Sequence, residues 1–330
     1  MQEPIAVIGA GSWGTALAIL IAKNGRSVNL YGLEEDGILD MQKERVNAKY
    51  LPDIPLPDNI TATDNLTDVL LGVRDVLMVV PSHVFANVLR EIQPFVTPDI
   101  RIAWATKGLD PDTGRMLHEF VVDAFTEAVP KAMISGPSFA TEVAIGQPTA
   151  VSVASDNDEF MHDVIKWLNN DRFRAYGCDD IIGVQLCGAV KNPAAIACGV
   201  ADGLGYSANA RCALITCALA EMTHLGVAMG AKKSTFMSFA GVGDLVLTCS
   251  SEQSRNFRFG QALGNGYDAD DAEKSIGQVV EGRGNAFIVR ALAHKHKVNM
   301  PIIEQICAVL ENKTSVKGAV EYLLNQETID

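Results

Sequence analysis

The sequence predicts an α/β protein in which an N-terminal, doubly wound parallel sheet is followed by an all-α C-terminal domain. Short apolar runs alternate with helix-like stretches in the first half of the chain. Strand signals stop near residue 180, and Ala, Leu and Gly at helical spacing dominate beyond it. Because 330 residues are about twice the usual size of one domain, we expect two domains, at 1–180 and 181–330.

The individual elements follow from short apolar runs and from helical spacing. The predicted strands are 4–8, 27–31, 75–80, 101–105, 132–135 and 149–153. The predicted helices include 13–24, 84–93, 114–128, 159–168, 208–225 and 284–297. Near-continuous apolar strands that alternate with helices indicate a parallel sheet covered on both faces.

Composition restricts the class of protein. The chain is 48% hydrophobic and 20% charged, with a mean hydropathy of +0.13. This is enough apolar material for sizeable cores, and it excludes a disordered or fibrous protein. The 40 acidic and 27 basic residues give a net charge of −13, and no run of Lys or Arg is present. The balance therefore argues against nucleic-acid binding, which needs a clustered basic face.

Cysteine usage favours a cytoplasmic protein, and the most apolar long stretch is better explained as a buried helix than as a membrane span. The seven cysteines include no C-x-x-C pair, which favours reduced, buried thiols over a disulfide framework. No charged leader precedes the first glycine-rich turn, so we expect no signal peptide. Residues 181–201 are the best candidate for a membrane span. Because Gln185, Lys191 and Asn192 would be costly in lipid, we expect a buried helix instead.

A glycine-rich turn follows the first predicted strand and opens the first predicted helix. Gly9, Gly11 and Gly14 form a G-x-G-x-x-G pattern. The first glycine allows a tight turn, the second lets the backbone approach a pyrophosphate, and the third allows the helix to pack closely on the strand. In this context, with N–H donors at the helix N-terminus, the pattern predicts a Rossmann-like dinucleotide site. The alternative is a glycine-rich turn without a ligand.

The segment after the second predicted strand bears on the choice of dinucleotide. Glu34 lies twenty residues after Gly14, a spacing suited to accepting hydrogen bonds from a ribose 2′-OH. Residues 31–36 contain no basic residue, and Glu34, Glu35 and Asp36 would repel a 2′-phosphate. We interpret the segment as favouring NAD over NADP, although acidic residues also suit an exposed helix start.

Polar residues follow three of the predicted strands, at the edge where doubly wound sheets bind ligands. They are Pro81-Ser82-His83, Thr106-Lys107-Gly108 and Gly136-Pro137-Ser138. Lys107 leads directly from an apolar strand into a glycine, so it could reach an anionic substrate or the cofactor. A structural lysine is more often expected on an exposed helix face.

Lys191 is the candidate for proton transfer. It is the only charged residue between Asp180 and Asp202, in an otherwise apolar stretch. Burial of a lysine lowers its pKa from about 10.4, because desolvation disfavours the ammonium form. Such a lysine can exchange a proton with an alcohol or carbonyl near neutral pH. The structural alternative is a lysine at a helix end that extends its ammonium group to water.

Two further polar segments lie in the helical half. Asp244 sits in a glycine-rich bend and could hydrogen-bond substrate hydroxyls or steady Lys191. Ser254, Arg255 and Asn256 combine a hydroxyl, a guanidinium and an amide, and Arg suits phosphate because its donors match the oxygens in pairs. Spacing alone also allows a helix cap with surface charge.

Neither a metal nor a serine nucleophile is indicated. The six histidines are scattered, and His294 and His296 lack Cys or carboxylate ligands at metal spacing. The chain has no G-x-S-x-G and no Walker A sequence. We therefore expect an enzyme or binding protein that uses no metal.

Taken in order, these segments resemble the bacterial NAD(P)-dependent glycerol-3-phosphate dehydrogenases over nearly the whole chain. The similar segments are 9–18, 47–53, 79–83, 104–109, 135–140, 183–186, 189–192, 240–245, 253–256 and 277–282. So many matches in one order make coincidence a poor explanation.

The resemblance implies a role for each matching residue. Lys191 corresponds to the proton acceptor of the family. The implied cofactor residues, beyond the glycines and Glu34, are Ser12, Trp13, Lys107, Ala140, Arg255, Val279 and Glu281. The implied substrate residues are Lys107, Gly136, Ser138, Lys191, Asp244, Ser254, Arg255 and Asn256. Family members often carry a basic residue where this chain has Leu33, which puts the family's frequent preference for NADPH in doubt here.

The resemblance further implies reversible hydride transfer between NAD(P) and the glycerol 3-phosphate/dihydroxyacetone phosphate pair, which supplies a precursor of phospholipids. A cytoplasmic homodimer without membrane insertion is expected. Two alternatives are a β-hydroxyacid dehydrogenase and a non-catalytic protein that senses NAD(H). The first tends to place an asparagine four residues after its lysine, where this chain has Ala195. The second gives no reason for a lone lysine in an apolar helix.

Overall fold

A computed structural model describes residues 3–325. Within that range the chain forms ten strands, of which eight make one sheet and two make a small separate ribbon. The strands are β1 Ile5–Ile8, β2 Val28–Tyr31, β3 Val46–Asn47, β4 Leu51–Pro55, β5 Ile60–Thr63, β6 Asp75–Met78, β7 Arg101–Trp104, β8 Lys131–Ser135, β9 Thr149–Ser155 and β10 Phe173–Cys178.

The large sheet confirms the predicted doubly wound α/β class. Its strand order is β10-β9-β8-β7-β6-β1-β2-β5. From β1 the chain adds β2 and β5 on one side, and from β6 it adds β7 to β10 on the other, so the point where the winding reverses lies between β1 and β6. All neighbours are parallel except β8 and β9, which are antiparallel. This exception was not predicted. The link between them carries the short helix α6 Ala140–Ala144, which packs on the first helix rather than crossing the sheet to reset the direction.

The helices of the first half cover the sheet. They are α1 Ser12–Lys23, α2 Ile38–Glu44, α3 Leu66–Leu70, α4 Ser82–Ile92, α5 Leu117–Ala124, α6 and α7 Asp158–Leu168. The central strands β1, β6 and β7 are buried at every position, which explains why they read as continuous apolar runs. The edge strands β5 and β10 alternate buried and exposed residues, and sequence patterning did not find them.

The second half is helical throughout the described residues, as predicted. Its helices are α8 Ile181–Gly203, α9 Ala208–Ala228, α10 Asp244–Ser250, α11 Arg255–Gly264, α12 Ala269–Ile276, α13 Glu281–His296, α14 Pro301–Leu310 and α15 Val316–Leu324. Helix α8 is the one described helix that is long and apolar enough to cross a membrane, and 94% of its most apolar window is buried inside the protein. Its predicted burial is therefore confirmed. Gly199 of α8 allows the backbone of α11 to approach closely, since a Cβ there would lie 2.0 Å from the Phe257 carbonyl oxygen.

The described chain divides into two compact units. The first contains the residues up to Ile181 apart from Pro111–Arg115, and the second contains Pro111–Arg115 together with the residues from Ile182 on. The seven cysteines, which all lie within the described range, form no disulfide bond, and four of them are buried.

Candidate active site

The glycine-rich turn joins β1 to α1 in the first unit. Gly9 has φ +115°, and its N–H donates to the carbonyl of Tyr31 at 2.9 Å. A Cβ at Gly9 would lie 2.6 Å from the Val79 carbonyl oxygen, and one at Gly14 would lie 1.8 Å from the Gly9 carbonyl oxygen. Side chains at these two positions would clash with backbone, so the turn requires glycine at both.

The same turn offers features that suit a dinucleotide. A Cβ at Gly11 would meet no atom within 4 Å, so the space beside this backbone is open. Gly11 also caps α1 without a side-chain hydrogen bond, which leaves the N–H groups of the first turn to an anion. The buried Nε1 of Trp13 has no hydrogen-bond partner among residues 3–325. These residues, with Ser12 beside them at the start of α1, fit a pyrophosphate at the helix N-terminus.

The strand ends bring three predicted residues of the first unit to one carbonyl group. Lys107 Nζ donates to the Gly136 carbonyl oxygen at 3.1 Å, and Ser138 Oγ donates to the same oxygen at 2.9 Å. Thr106 Oγ1 donates to the Val80 carbonyl at 2.7 Å, which fixes the start of the Lys107 segment. Two further predicted residues lie elsewhere in this unit: Ala140 begins α6, and Glu34 is exposed in a short 3-10 turn after β2.

A buried ion pair joins α8 to α10 in the second unit. Lys191 Nζ on α8 lies 2.6 Å from Asp244 Oδ1, at the first residue of α10, and 3.1 Å from Thr248 Oγ1. The three residues are 6%, 1% and 6% exposed. Thr248 donates to the Asp244 carbonyl at 2.6 Å, one helical turn back. The carboxylate and the hydroxyl therefore fix the position of the Lys191 side chain.

A neutral thiol lies close to this pair. Burial and the neighbouring Cys198 thiol raise the pKa of Cys249 well above its usual value, and both cysteines are fully buried. Cys249 therefore adds no charge beside Lys191 and Asp244.

A second polar network runs beside the ion pair. Asn256 Nδ2 on α11 donates to Asn192 Oδ1 at 3.1 Å, and Asn192 Nδ2 donates to Glu281 Oε2 at 3.2 Å. The side-chain Oδ1 of Asn256 accepts the Gly282 N–H at 2.8 Å, at the start of α13. Asn192 thus joins a predicted substrate residue to a predicted cofactor residue, and it follows Lys191 directly in the chain.

The Ser254–Asn256 segment divides between the two interpretations that its sequence allowed. Ser254 Oγ caps α11 by accepting the Phe257 N–H at 3.2 Å, as the structural alternative predicted. Arg255 Nη1 donates to the carbonyl of Val279 at 3.2 Å, and Val279 is 64% exposed. Two predicted cofactor residues are therefore in contact with each other.

Thr248 and Asn192 are the site residues that sequence reasoning missed. Thr248 lies four residues after Asp244, and therefore on the same helix face, which is a signal that spacing could have given. Asn192 offered adjacency to Lys191 and no more. Among residues 3–325, no group of three or more His, Cys, Asp or Glu side chains could hold a metal ion.

Comparison with known proteins shows which family the chain resembles over its length. Models of the NAD-dependent glycerol-3-phosphate dehydrogenase N-terminus and C-terminus match residues 4–161 and 180–321. The chain is 53% identical over 327 residues to glycerol-3-phosphate dehydrogenase (NAD(P)+) of Psychromonas ingrahamii, covering 99% of this chain and 98% of that protein. It is 50% identical over 325 residues to the Escherichia coli K12 enzyme of the same name, with 98% and 96% covered.

A solved structure agrees with the sequence relatives. The crystal structure of glycerol-3-phosphate dehydrogenase from Coxiella burnetii superposes with a TM-score of 0.94 at 49% identity, covering 98% of this chain and 99% of that one.

Proposed function

Because the chain belongs to the NAD-dependent glycerol-3-phosphate dehydrogenase family, we propose that it interconverts sn-glycerol 3-phosphate and dihydroxyacetone phosphate with NAD(H) or NADP(H). The observation that carries the proposal is the buried lysine paired with an aspartate, in a chain that also has a dinucleotide turn. The activity supplies glycerol 3-phosphate for phospholipid synthesis.

The chain's residues divide the work between its two units. The turn from Gly9 to Gly14 would hold the pyrophosphate on the N-terminus of α1, as the open space beside Gly11 supports. When bound, the dinucleotide supplies hydride-transfer chemistry at C2 of the substrate. The division into a cofactor domain at 1–180 and a substrate domain at 181–330 is part of this proposal. The two compact units and the two family models support it.

Lys191 would move the proton. In reduction its ammonium group gives a proton to the oxygen on C2 of dihydroxyacetone phosphate, and in oxidation the neutral amine takes the proton from the alcohol. Asp244 accepts a hydrogen bond from Nζ at 2.6 Å and so aims the lysine, while Thr248 fixes a second direction. The carboxylate also stabilises the cation that forms when Lys191 takes the proton.

The remaining residues would bind the charged end of the substrate and orient it. Lys107 of the first unit and Arg255 of the second each carry a cation that suits a phosphate, and the amide of Asn256 and the hydroxyl of Ser254 add uncharged donors. The Ser138 hydroxyl, which donates to Gly136, offers its oxygen as an acceptor for a substrate hydroxyl. The buried Asn192–Asn256 bond at 3.1 Å holds one of these donors in place. Orientation of this kind lowers the entropic part of the barrier. Glu281, Val279 and Ala140 are assigned to the cofactor by the resemblance.

The first experiment mixes the purified protein with dihydroxyacetone phosphate and follows nicotinamide absorbance, once with NADH and once with NADPH. We expect oxidation that requires dihydroxyacetone phosphate. A phosphate-free β-hydroxyacid and its ketoacid, tested in parallel, distinguish the hydroxyacid dehydrogenase. Binding of NADH without turnover of any of these compounds would instead support the sensing protein and contradict the proposal.

The assembly and location of the enzyme belong to the same proposal. We infer a homodimer in the cytoplasm that acts on small molecules, and size-exclusion chromatography with light scattering tests the dimer. A mass near the 35.4 kDa of one chain would contradict it.

A further inference from the structure

The first residue after β2 is Gly32, so this position cannot carry the carboxylate that dinucleotide folds commonly use to hold the adenosine ribose. Gly32 follows the strand, and a Cβ there would lie 2.6 Å from Ala10 Cβ and 3.0 Å from Ile38 Cδ1. A side chain therefore does not fit at this position without displacement of the glycine-rich turn. Recognition of the ribose has to come from residues farther along the chain, or from another segment.

Another segment is held against this edge by a buried asparagine. Asn47, 1% exposed, donates through Nδ2 to the Ala10 carbonyl at 2.9 Å and to Thr15 Oγ1 at 2.8 Å. Its Oδ1 accepts the N–H of Tyr50 at 3.1 Å. Asn47 thus fastens the residues up to Tyr50 to the middle of the glycine-rich turn, at the carboxyl ends of β1 and β2.

The segment 47–50 brings a lysine ammonium group to the acidic turn after β2. Lys49 Nζ lies 2.6 Å from Asp36 Oδ1, and Tyr50 OH donates to the same oxygen at 2.8 Å. Lys49 Nζ also lies 5.1 Å from the centre of the Tyr50 ring. The Lys49 side chain remains 51% exposed and that of Asp36 27% exposed, so a ligand can approach both.

The charges of this cluster are mutually stabilised. The hydrogen bond to Asp36 raises the pKa of Lys49. Burial alone would raise the pKa of Asp36, but hydrogen bonds from Lys49 and Tyr50 outweigh it and hold that pKa below its usual range. Both groups are therefore charged at neutral pH, and the absence of a basic residue from 31–36 does not make this edge purely acidic.

We propose that Lys49, engaged by Asp36, is the residue that determines how the chain discriminates between NADPH and NADH. The inference rests on the proposed function, because it assigns the edge beside Asn47 to the adenosine ribose. A lysine ammonium has three donors and can meet a 2′-phosphate as a point charge. Asp36 competes for that charge and repels the phosphate, so the two residues act in opposite directions on the same ligand.

Because Lys49 and Asp36 act oppositely on a 2′-phosphate, substitutions at the two positions should change the ratio of NADPH affinity to NADH affinity in opposite directions. Lys49→Met removes the cation and retains an unbranched apolar stem, so NADPH should bind about tenfold more weakly. Asp36→Asn removes the competing charge and keeps an acceptor for Tyr50, so NADPH should bind about fivefold more tightly. The affinity for NADH, which has a ribose hydroxyl instead of the phosphate, should change less than about twofold in both variants.

The measurement is direct binding to the full chain without substrate. Isothermal titration with NADH and NADPH, and with 5′-AMP and 2′,5′-ADP as fragments, reports the 2′-phosphate contribution separately from catalysis. Low ionic strength maximises the effect, because exposed charges are screened by salt. Lys43→Met is the matched control, since Lys43 is a lysine on α2 with a side chain that is 78% exposed and pairs with Glu44.

The outcomes separate this inference from the proposed function. Opposite changes in the NADPH/NADH ratio, mirrored by 2′,5′-ADP and absent in Lys43→Met, support the assignment. Equal loss of both dinucleotides in Lys49→Met, or a ratio that neither variant moves, overturns it and leaves the dehydrogenase proposal intact. Failure of the unaltered chain to bind either dinucleotide overturns both.

Discussion

The two units build their candidate sites from different parts of the polypeptide. In the first unit the groups are mostly backbone: the glycine-rich turn, the N–H groups of α1 and the Gly136 carbonyl that Lys107 and Ser138 share. In the second unit they are buried side chains, with Lys191 on Asp244 and Asn192 between Asn256 and Glu281. A site made of backbone groups requires that no side chain fill the space beside them, whereas a site made of side chains requires that every partner be present.

This difference separates two kinds of failure. Removal of one member of a buried charged pair leaves the other charge uncompensated and affects folding as well as chemistry. A side chain added beside an open backbone obstructs the ligand and leaves the protein's own packing unchanged.

The largest effect is expected at Lys191. Lys191→Ala should lower kcat by about 10²–10⁴-fold, because the proton donor and acceptor is lost. NADH affinity should remain within about twofold, because the glycine-rich turn lies in the first unit. The buried Asp244 carboxylate loses its cation, which should reduce the free energy of unfolding by about 3–5 kcal/mol. Steady-state kinetics, NADH titration and denaturant unfolding measure the three quantities.

Two controls keep this prediction separate from simple instability. Lys295→Ala removes an exposed lysine in the last turn of α13 and should leave all three quantities unchanged. The double variant Lys191→Met, Asp244→Leu removes both charges and should recover much of the stability while remaining inactive. A near-normal kcat in Lys191→Ala would contradict the role of the lysine.

The next effect contrasts two glycines of one turn. Gly14→Ala should lower the free energy of unfolding by about 2–3 kcal/mol, because its Cβ would clash with the Gly9 carbonyl oxygen. Gly11→Ala should leave stability within about 0.5 kcal/mol, since the space beside it is open. The same variant should bind NADH about tenfold more weakly, because its methyl group keeps the pyrophosphate away from the backbone. Unaltered NADH binding in Gly11→Ala would show that the open space is not the cofactor's.

A separate effect, on stability alone, concerns a buried carboxyl group of the second unit that lies outside the proposed site. Glu221, 7% exposed, accepts the Ile302 N–H at 2.8 Å, and its Oε2 has no partner among residues 3–325. Burial raises its pKa from 4.5 to about 8. The folded protein therefore keeps the group protonated up to about pH 8, whereas the unfolded chain ionises it from about pH 4.5. Rising pH between these values favours the unfolded chain.

Glu221→Gln isolates this contribution, because the amide keeps an acceptor for Ile302 and does not titrate. The stability of the unaltered chain relative to Glu221→Gln should fall by on the order of 4 kcal/mol between pH 4.5 and pH 8. Urea unfolding at four pH values measures it, and kcat should stay unchanged. A difference that does not depend on pH would mean that Glu221 is ionised in the folded protein.

The smallest effect is expected at Thr248. Thr248→Val removes the hydroxyl that accepts a hydrogen bond from Lys191 Nζ and retains the β-branched shape. The loss of about 1 kcal/mol predicts a kcat about fivefold lower. Thr223→Val is the matched control, because Thr223 Oγ1 likewise donates to the carbonyl four residues back, that of Leu219, on α9. Equal effects of the two changes on kcat would remove Thr248 from the site.

The same contrast explains how far the sequence predicted the molecule. The turn at Gly9–Gly14 and the central strands could be located because their signals are contiguous: glycine spacing in one case and a buried apolar run in the other. Lys191 was conspicuous because burial makes a lone charge in an apolar helix unusual. These features follow from local chemistry.

The remaining features depend on contacts between distant residues. The spacing of four residues relates Thr248 to Asp244, but Thr248 and Asn192 reach Lys191 and Asn256 across 57 and 64 residues, and no local pattern encodes those longer pairings. The edge strands β5 and β10 have one exposed face and therefore carry no continuous apolar run. The interpretation that residues 31–36 favour NAD rested on that segment alone, whereas Lys49 pairs with Asp36 from thirteen residues farther along the chain.

Residues 111–115 have a consequence for how this protein can be divided. They lie between β7 and α5 of the first unit but belong to the second, and Gly114 lies close to Ile288 of α13. A gene cut at residue 181 therefore gives a C-terminal fragment that lacks a piece of its own unit, however well the rest folds. Exchange of C-terminal halves between relatives transfers a whole unit only when this five-residue segment is exchanged with it.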